Sequence, residues 1–142
     1  MTPLRATVDD CLLGDLPRVL DHRGNLTFVE GGRHVRFPLR RAYWIYDVPG
    51  GAERGGHAYR RLEEFVIALS GSFTVVLDDG LATRSVLLNR SYFGLYVPTM
   101  IWRSLEDFST NAVCLVLASL RYSEEDYVRV YDEFQRAKES VR

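Results

Sequence analysis

The stretch GGAERGGHAYRRLEEFVIALSG, residues 50–71, places an imidazole, a phenol and a carboxylate close together in the chain. His57 and Tyr59 are two residues apart, so in a β-strand both side chains lie on the same face. Gly55 and Gly56 precede them, and arginines flank them on both sides. We therefore expect His57 to point into a cavity and to move protons, since imidazole changes charge near neutral pH.

The rest of the chain alternates strand-length runs, rich in Val, Ile, Phe and Tyr, with short turn signals such as EGGR, DVPGG and DDG. Many short strands at regular spacing are typical of an all-β sandwich or barrel. No linker or repeat divides the sequence, so we expect a single domain over residues 1–142. The predicted strands are 25–30, 35–37, 41–47, 56–61, 64–69, 72–78, 84–88, 94–97, 101–104 and 112–118.

The pattern changes near the C-terminus, in the segment SEEDYVRVYDEFQRAKES. Apolar residues from Tyr127 to Phe134 recur at helical spacing. Ser123 is a plausible N-cap, and the acidic residues after it suit the positive end of a helix dipole. The sequence therefore predicts one C-terminal helix starting after Ser123, packed on the outside of the barrel or on a neighbouring subunit.

The overall composition excludes some classes of function. The 142 residues include 18 basic and 19 acidic side chains, a net charge of -1, so no cationic surface favours nucleic acid. No run is long and apolar enough for a membrane span, and the charged N-terminus lacks the apolar core of a signal peptide. Cys11 and Cys114 do not form a CxxC pair and are expected to be reduced thiols. These features indicate a cytoplasmic protein.

The spacing of residues 51–71 matches the first motif of the cupin barrels except at one position. Gly51, His57, Glu64 and Gly71 fit, whereas Tyr59 stands at the second histidine. In the second motif Pro98 fits, but Arg103 occupies the histidine position. Two of four metal ligands are therefore replaced, one by a permanent cation. The sequence predicts a barrel without a metal, in which His57 acts as a free imidazole.

Longer segments give a more specific resemblance. ERGGHAYRRLEEFVIALSGSFTVVLDDG, GLYVPTMIWRSLEDFSTNAVCLVLAS, YDEF, DHRGNLTFVE and RRAYWIYDVPG resemble the nucleotide-sugar 3,4-ketoisomerases, the WxcM-like or FdtA-like proteins, over residues 12–136. The resemblance implies a cupin-type (RmlC-like) antiparallel β-barrel, or jelly roll, with one C-terminal α-helix. It also implies a dimer with exchanged N-terminal strands, no cofactor, and a dTDP-linked 6-deoxyhexose as substrate.

The resemblance also implies roles for particular residues. The RGxHAH motif of the family corresponds to residues 54–59, with Tyr59 in place of its second histidine. We expect His57 to take a proton from C3 of the sugar and return one to C4 through an enediolate, while Tyr59 donates a hydrogen bond or relays a proton between the sugar oxygens. Arg103 and Arg54 stabilise the enediolate or the diphosphate. The full assignment is His57, Tyr59 and Tyr43 as catalytic residues, and Arg54, Arg103, Glu64, Trp102, Tyr96 and Arg23 as substrate-binding residues.

The sequence is compatible with more than one role for Trp102 and Tyr96 and with two other functions. Glu64 is expected to orient His57, and Trp102 and Tyr96 either stack on the substrate or pack in the core. One alternative function is a sugar-nucleotide-binding protein that lost catalysis together with the second histidine. Another is the epimerisation of a keto-sugar, which uses the same base chemistry.

Overall fold

The computed structural model describes residues 5–141 as two antiparallel five-stranded sheets and a short hairpin. The strands are β1 (Leu12–Asp15), β2 (Arg18–Val19), β3 (Leu26–Thr27), β4 (Arg41–Ile45), β5 (Arg54–Tyr59), β6 (Glu64–Ser70), β7 (Phe73–Asp78), β8 (Thr83–Leu88), β9 (Phe93–Val97), β10 (Trp102–Glu106), β11 (Val113–Ala118) and β12 (Tyr127–Val128). One α-helix, α1 (Tyr131–Glu139), and two 3₁₀ turns, Val8–Asp10 and Glu124–Asp126, complete the described chain.

The two sheets enclose one apolar core, which confirms the predicted cupin-type barrel. The first sheet has the strand order β1-β9-β6-β11-β4 and the second β12-β5-β10-β7-β8. Strand β7 shows the underlying pattern, because Phe73, Val75 and Leu77 are buried in the core and the residues between them are not. From the first sheet, Leu95 and Val116 pack against them.

The outer face of the first sheet is partly covered by the segment that contains Val35 and Phe37. The strand predictions were least accurate in this N-terminal part of the chain. The predicted strand 35–37 forms only an isolated bridge at Val35, yet Val35 and Phe37 are buried against that face. Pro38 follows directly and lacks a backbone donor, which disfavours a paired strand. The predicted strand 25–30 shortens to β3, and β1 was missed although it pairs with β9 over its whole length.

The C-terminal helix exists, but the prediction that it starts after Ser123 is wrong. A 3₁₀ turn follows Ser123, whose side chain makes no capping hydrogen bond, and α1 begins only at Tyr131. The buried Asp126 accepts hydrogen bonds from the amides of Arg61 and Leu62, and β12 then pairs with β5. These long-range contacts outweigh the local helical pattern. Within residues 5–141, no helix has the length and apolarity needed to cross a membrane.

Candidate active site

The strand that carries His57 is distorted by the two glycines before it. Gly55 and Gly56 have φ angles of 97° and 75°, in the region that glycine adopts most easily. A Cβ on Gly55 would lie 3.1 Å from the carbonyl oxygen of Arg103, so β10 approaches too closely for a larger residue. The pairing of β5 with β10 shifts at this point, and His57 pairs with Arg103. The glycines therefore set the register that brings the imidazole and the guanidinium together.

A cavity of about 540 Å³ is lined by residues of both sheets, including residues on the edge strands β4 and β12. Because β5 alternates, His57 and Tyr59 both face this cavity while Ala58 packs outside it. Six of the nine assigned residues line it: His57, Tyr59, Tyr43, Arg54, Arg103 and Glu64.

The His57 side chain is held as a neutral imidazole. Burial, together with the positive charges of Arg103 and Arg129, lowers its pKa to about 3. We expected a pKa near neutrality, and the structure corrects that expectation. A neutral imidazole has a free lone pair, so His57 is in the protonation state of a base.

Three aromatic rings form a cluster on one wall of the cavity. The ring centroids of His57 and Tyr59 lie 4.8 Å apart, and that of Tyr127 lies 4.6 Å from Tyr59 and 5.2 Å from His57. The pKa of Tyr59 is raised by burial, by the charge of Glu64 and by a hydrogen bond with Tyr127. The phenol of Tyr59 therefore stays protonated at neutral pH and is a hydrogen-bond donor rather than a base.

Glu64 interacts with Arg103 and Tyr43, and not with His57 as we expected. Its carboxylate accepts a hydrogen bond from the Tyr43 hydroxyl at 2.6 Å and forms an ion pair with Nη1 of Arg103. Nε and Nη2 of Arg103 both donate to the carbonyl oxygen of Ile101. These contacts fix the buried Arg103 against the face of the Tyr59 ring, with the guanidinium carbon 5.0 Å from the ring centroid. Glu64 therefore positions the cation that faces the imidazole.

Three residues assigned to the substrate lie outside the cavity. Trp102 faces away from Arg103 and packs on Tyr131 and Phe134 of α1, because adjacent residues of a strand point to opposite faces. Tyr96 lies on the outer face of the first sheet, where its hydroxyl donates to Glu63. Arg23 lies in the exposed β2–β3 turn and forms a bidentate pair with Asp21. In the described chain the first two therefore pack against other side chains, and the third forms an exposed ion pair.

The cavity residues that the sequence analysis missed include Arg41, Tyr127 and Arg129. Arg41 stands two residues before Tyr43 on β4, so alternation alone could have placed it on the same face. The predicted helix concealed Tyr127 and Arg129, which lie in and just after β12. The guanidinium of Arg129 stacks at 4.0 Å on the ring of Tyr127 and pairs with Glu124.

The residues of the cavity do not resemble a metal centre. Of the residue types His, Cys, Asp and Glu, its lining contains Glu53, His57 and Glu64, and the carboxylate of Glu64 is engaged by Arg103 and Tyr43. Across residues 5–141, no group of three or more His, Cys, Asp or Glu side chains comes together. The expectation of a metal-free reaction remains a prediction.

The fold and the cavity together define a cupin-type barrel whose cavity is lined by an imidazole, three phenols and a buried arginine. A family model described as FdtA, WxcM-like, C-terminal, matches residues 9–139. The chain belongs to this family, as the sequence resemblance implied.

Proteins of known activity show the same relationship. The chain is 40% identical over 119 residues, 84% of this chain and 86% of the relative, to TDP-4-oxo-6-deoxy-alpha-D-glucose-3,4-oxoisomerase of Aneurinibacillus thermoaerophilus. A 3,4-ketoisomerase from Helicobacter canadensis is similar with a TM-score of 0.89 and 38% identity, covering 92% of this chain and 98% of that one. A histidine-to-asparagine variant of a 3,4-ketoisomerase from Thermoanaerobacterium thermosaccharolyticum, in complex with TDP-4-keto-6-deoxyglucose, has a TM-score of 0.92 and 31% identity, covering 95% and 98%.

Proposed function

We propose that this chain is a 3,4-ketoisomerase that moves the keto group of a TDP-linked 4-keto-6-deoxyhexose from C4 to C3. The observation that carries the proposal is the neutral imidazole of His57, which faces a large cavity beside the fixed cation of Arg103. Membership of the family and 40% identity to an oxoisomerase support the same substrate class.

The cavity residues support a mechanism with one base. His57 removes the proton from C3, and the electrons of that bond form the C3–C4 double bond of an enediolate while O4 takes up negative charge. Arg103 provides positive charge close to this enediolate. The Tyr59 hydroxyl, which stays protonated, gives its proton to O4 and receives the proton of O3. The imidazolium then returns a proton to C4, and the carbonyl forms at C3.

One experiment separates this function from its alternatives. The protein is incubated with dTDP-4-keto-6-deoxyglucose in deuterated water, and the sugar is followed by NMR. An isomerase incorporates deuterium at C3 of the remaining substrate and at C4 of a new 3-keto product. Inversion without migration of the carbonyl would instead show an epimerase. Binding without exchange or product would show a sugar-nucleotide-binding protein and overturn the catalytic proposal.

The pH dependence follows from the lowered pKa of His57. A base whose pKa lies near 3 in the free protein stays deprotonated above that pH, so kcat/KM should stay constant from about pH 8 to about pH 5. A bound diphosphate brings negative charge that opposes the effect of Arg103 and Arg129, so the acid limb of kcat should lie at higher pH than that of kcat/KM. Initial rates over this range test both statements, with circular dichroism as the control for folding. A kcat/KM half-maximum near pH 6.5, the ordinary value for histidine, would contradict the prediction.

The substitution Tyr59→Phe tests the phenol that replaces the second histidine of the family. It keeps the ring in the aromatic cluster and removes only the hydroxyl. Because this hydroxyl transfers the proton between O3 and O4 in the proposed mechanism, its loss should lower kcat about a hundredfold, the lower end of the usual contribution of an acid–base group. Deuterium exchange at C3, which needs only His57, should continue, so exchange should exceed product formation. The exposed Tyr46→Phe is the matched control, and full kcat in Tyr59→Phe would remove Tyr59 from the mechanism.

We also propose that the protein is a homodimer formed through its N-terminal strands. Large apolar side chains on β1 and around the β2–β3 hairpin are exposed in the single chain, which supports coverage by a second copy. They are Leu12, Leu13, Val19, Leu20 and Leu26. Light scattering during gel filtration should give twice the mass of one chain, and a monomer at all concentrations would refute the proposal.

A further inference from the structure

Lys138 on α1 is a buried cation outside the residues that line the catalytic cavity. It is only 3% exposed, and its Nζ donates hydrogen bonds to the carbonyl oxygens of Met100 at 3.0 Å and of Ala6 at 2.6 Å. Burial of an ammonium group is costly unless the group is well paired, because it loses its hydration. These backbone acceptors therefore indicate what the lysine holds, namely the N-terminal segment and the turn between β9 and β10.

The turn between β9 and β10, residues 98–101, has a strained backbone at Met100. The φ angle of Met100 is 53°, a left-handed conformation that residues other than glycine rarely adopt. Such a conformation persists only where the surrounding contacts fix it. The Met100 amide donates to the carbonyl of Tyr59 at 2.8 Å, Lys138 binds the Met100 carbonyl, and the Met100 side chain is buried in one cluster with Phe134. Two of these three restraints come from α1.

The next carbonyl of this turn orients the cation of the active site. The carbonyl oxygen of Ile101 accepts hydrogen bonds from Nε and Nη2 of Arg103 at 3.0 Å and 2.9 Å. Because each peptide unit is planar, the direction of this carbonyl follows from the dihedral angles at Met100 and Ile101. Within residues 5–141, the other hydrogen bond of the guanidinium is the one from Nη1 to Glu64. The conformation of the turn therefore decides whether the cation is held on both sides or on one.

The helix also contacts the strand that follows the turn. Trp102, the first residue of β10, packs on the rings of Tyr131 and Phe134, with centroid distances of 5.3 Å and 5.7 Å. The helix α1 thus contacts the chain on both sides of Ile101, at Met100 through Lys138 and at Trp102 through aromatic rings. This arrangement connects the C-terminal helix to the geometry of the cavity.

We propose that Lys138 is a positioning residue of the active site, which fixes the turn 98–101 and through it the guanidinium of Arg103. The kinetic part of this proposal rests on the proposed function, in which Arg103 provides positive charge close to the enediolate. The geometric part requires no turnover. Loss of the ammonium group should leave the cavity able to bind its ligand but allow the cation to leave the orientation that the reaction needs.

The first test measures the orientation of Arg103 without any substrate. It compares Lys138→Met, which keeps an unbranched side chain, with wild type and with Arg136→Met, an exposed cation of the same helix. NMR follows hydrogen exchange of the Arg103 Nε proton and, as a reference for global stability, of the Val75 amide in the core strand β7. The Nε proton should exchange at least about tenfold faster in Lys138→Met, and the Val75 amide should change less.

Two outcomes of this test overturn the proposal. One is equal acceleration at Arg103 and Val75, which would show a general loss of stability. The other is the same acceleration of Arg103 in Arg84→Met. Arg84 donates to the carbonyls of Val8 and Cys11, so that variant loosens the N-terminal segment and leaves the bond to Met100 in place. We expect Arg103 in Arg84→Met and in Arg136→Met to exchange as in wild type.

The second test separates catalysis from binding. Lys138→Met should lower kcat about tenfold to a hundredfold, because a small displacement of a catalytic group has this effect, and the Kd of dTDP should change by less than about twofold. Arg136→Met should keep both values. An unchanged kcat in folded Lys138→Met overturns the proposal. Selective exchange at Arg103 in a protein whose wild type shows no turnover supports the positioning and overturns the isomerase.

A measurement on wild type decides the case in which Lys138→Met does not fold. In urea below the unfolding transition, the Met100 amide and the Arg103 Nε proton should lose protection together and before the Val75 amide, because one opening of the turn exposes both. Independent loss of the two protons would contradict the proposal. Lys138→Gln, whose amide can still donate to one carbonyl, should give values of kcat and of Arg103 exchange between those of wild type and Lys138→Met.

Discussion

Replacement of His57 by asparagine should lower kcat by about 10²- to 10⁴-fold, the usual contribution of a general acid–base group. His57 is the one imidazole that lines the cavity of the described chain. Asparagine preserves a polar side chain of similar reach but cannot accept a proton from carbon. Tyr59 cannot substitute for it, because burial and the charge of Glu64 keep the pKa of that phenol raised. The loss should therefore appear in chemistry and not in binding.

Three measurements make this result specific. The Kd of dTDP should change by less than about twofold, since no step of binding requires the imidazole to take a proton. Deuterium exchange at C3 should disappear together with product formation, in contrast to Tyr59→Phe. The matched control is His22→Asn, a histidine on the exposed β2–β3 turn. Turnover within about tenfold of wild type in His57→Asn would show that another group is the base.

Replacement of Arg103 by methionine should lower the free energy of unfolding by about 3–5 kcal/mol, the usual cost of leaving one partner of a buried ion pair alone. The side chains of Arg103 and Glu64 are only 5% and 4% exposed. Without Arg103, the Glu64 carboxylate would retain only the hydrogen bond from Tyr43. Urea unfolding measures the change, and activity should fall as well, because the same cation faces His57.

A second substitution separates charge from packing. Arg103→Met combined with Glu64→Gln removes the uncompensated charge while an amide oxygen can still accept from Tyr43, so the double variant should be more stable than Arg103→Met alone. Arg129→Met is the matched control, because its pair with Glu124 is more than half exposed on both sides and should contribute no more than about 1 kcal/mol. Equal effects of Arg103→Met and Arg129→Met would refute the role of burial.

The sequence by itself determined that strands flank His57 and which of its neighbours share its face of the sheet. Alternation placed His57 and Tyr59 on one face, and glycines and motif spacing predicted the barrel and the loss of metal ligands. The resemblance of longer segments predicted the family, which the match to residues 9–139 confirmed. These features are local in the chain, or they recur at a fixed spacing, so the sequence alone reveals them.

Only the tertiary structure decided which face of each strand is inside and which distant residues meet. Tyr96 and Trp102 are aromatic residues on strands that also face the core, and alternation alone cannot say whether the odd or even positions point inward. The pairing of β12 with β5 overrode a helical pattern and brought Tyr127 beside His57. Arg41 comes from β4, whereas Tyr127 and Arg129 come from the segment of β12 in the other sheet, and all three line the same cavity. Long-range packing, unlike period and spacing, leaves little trace in a single sequence.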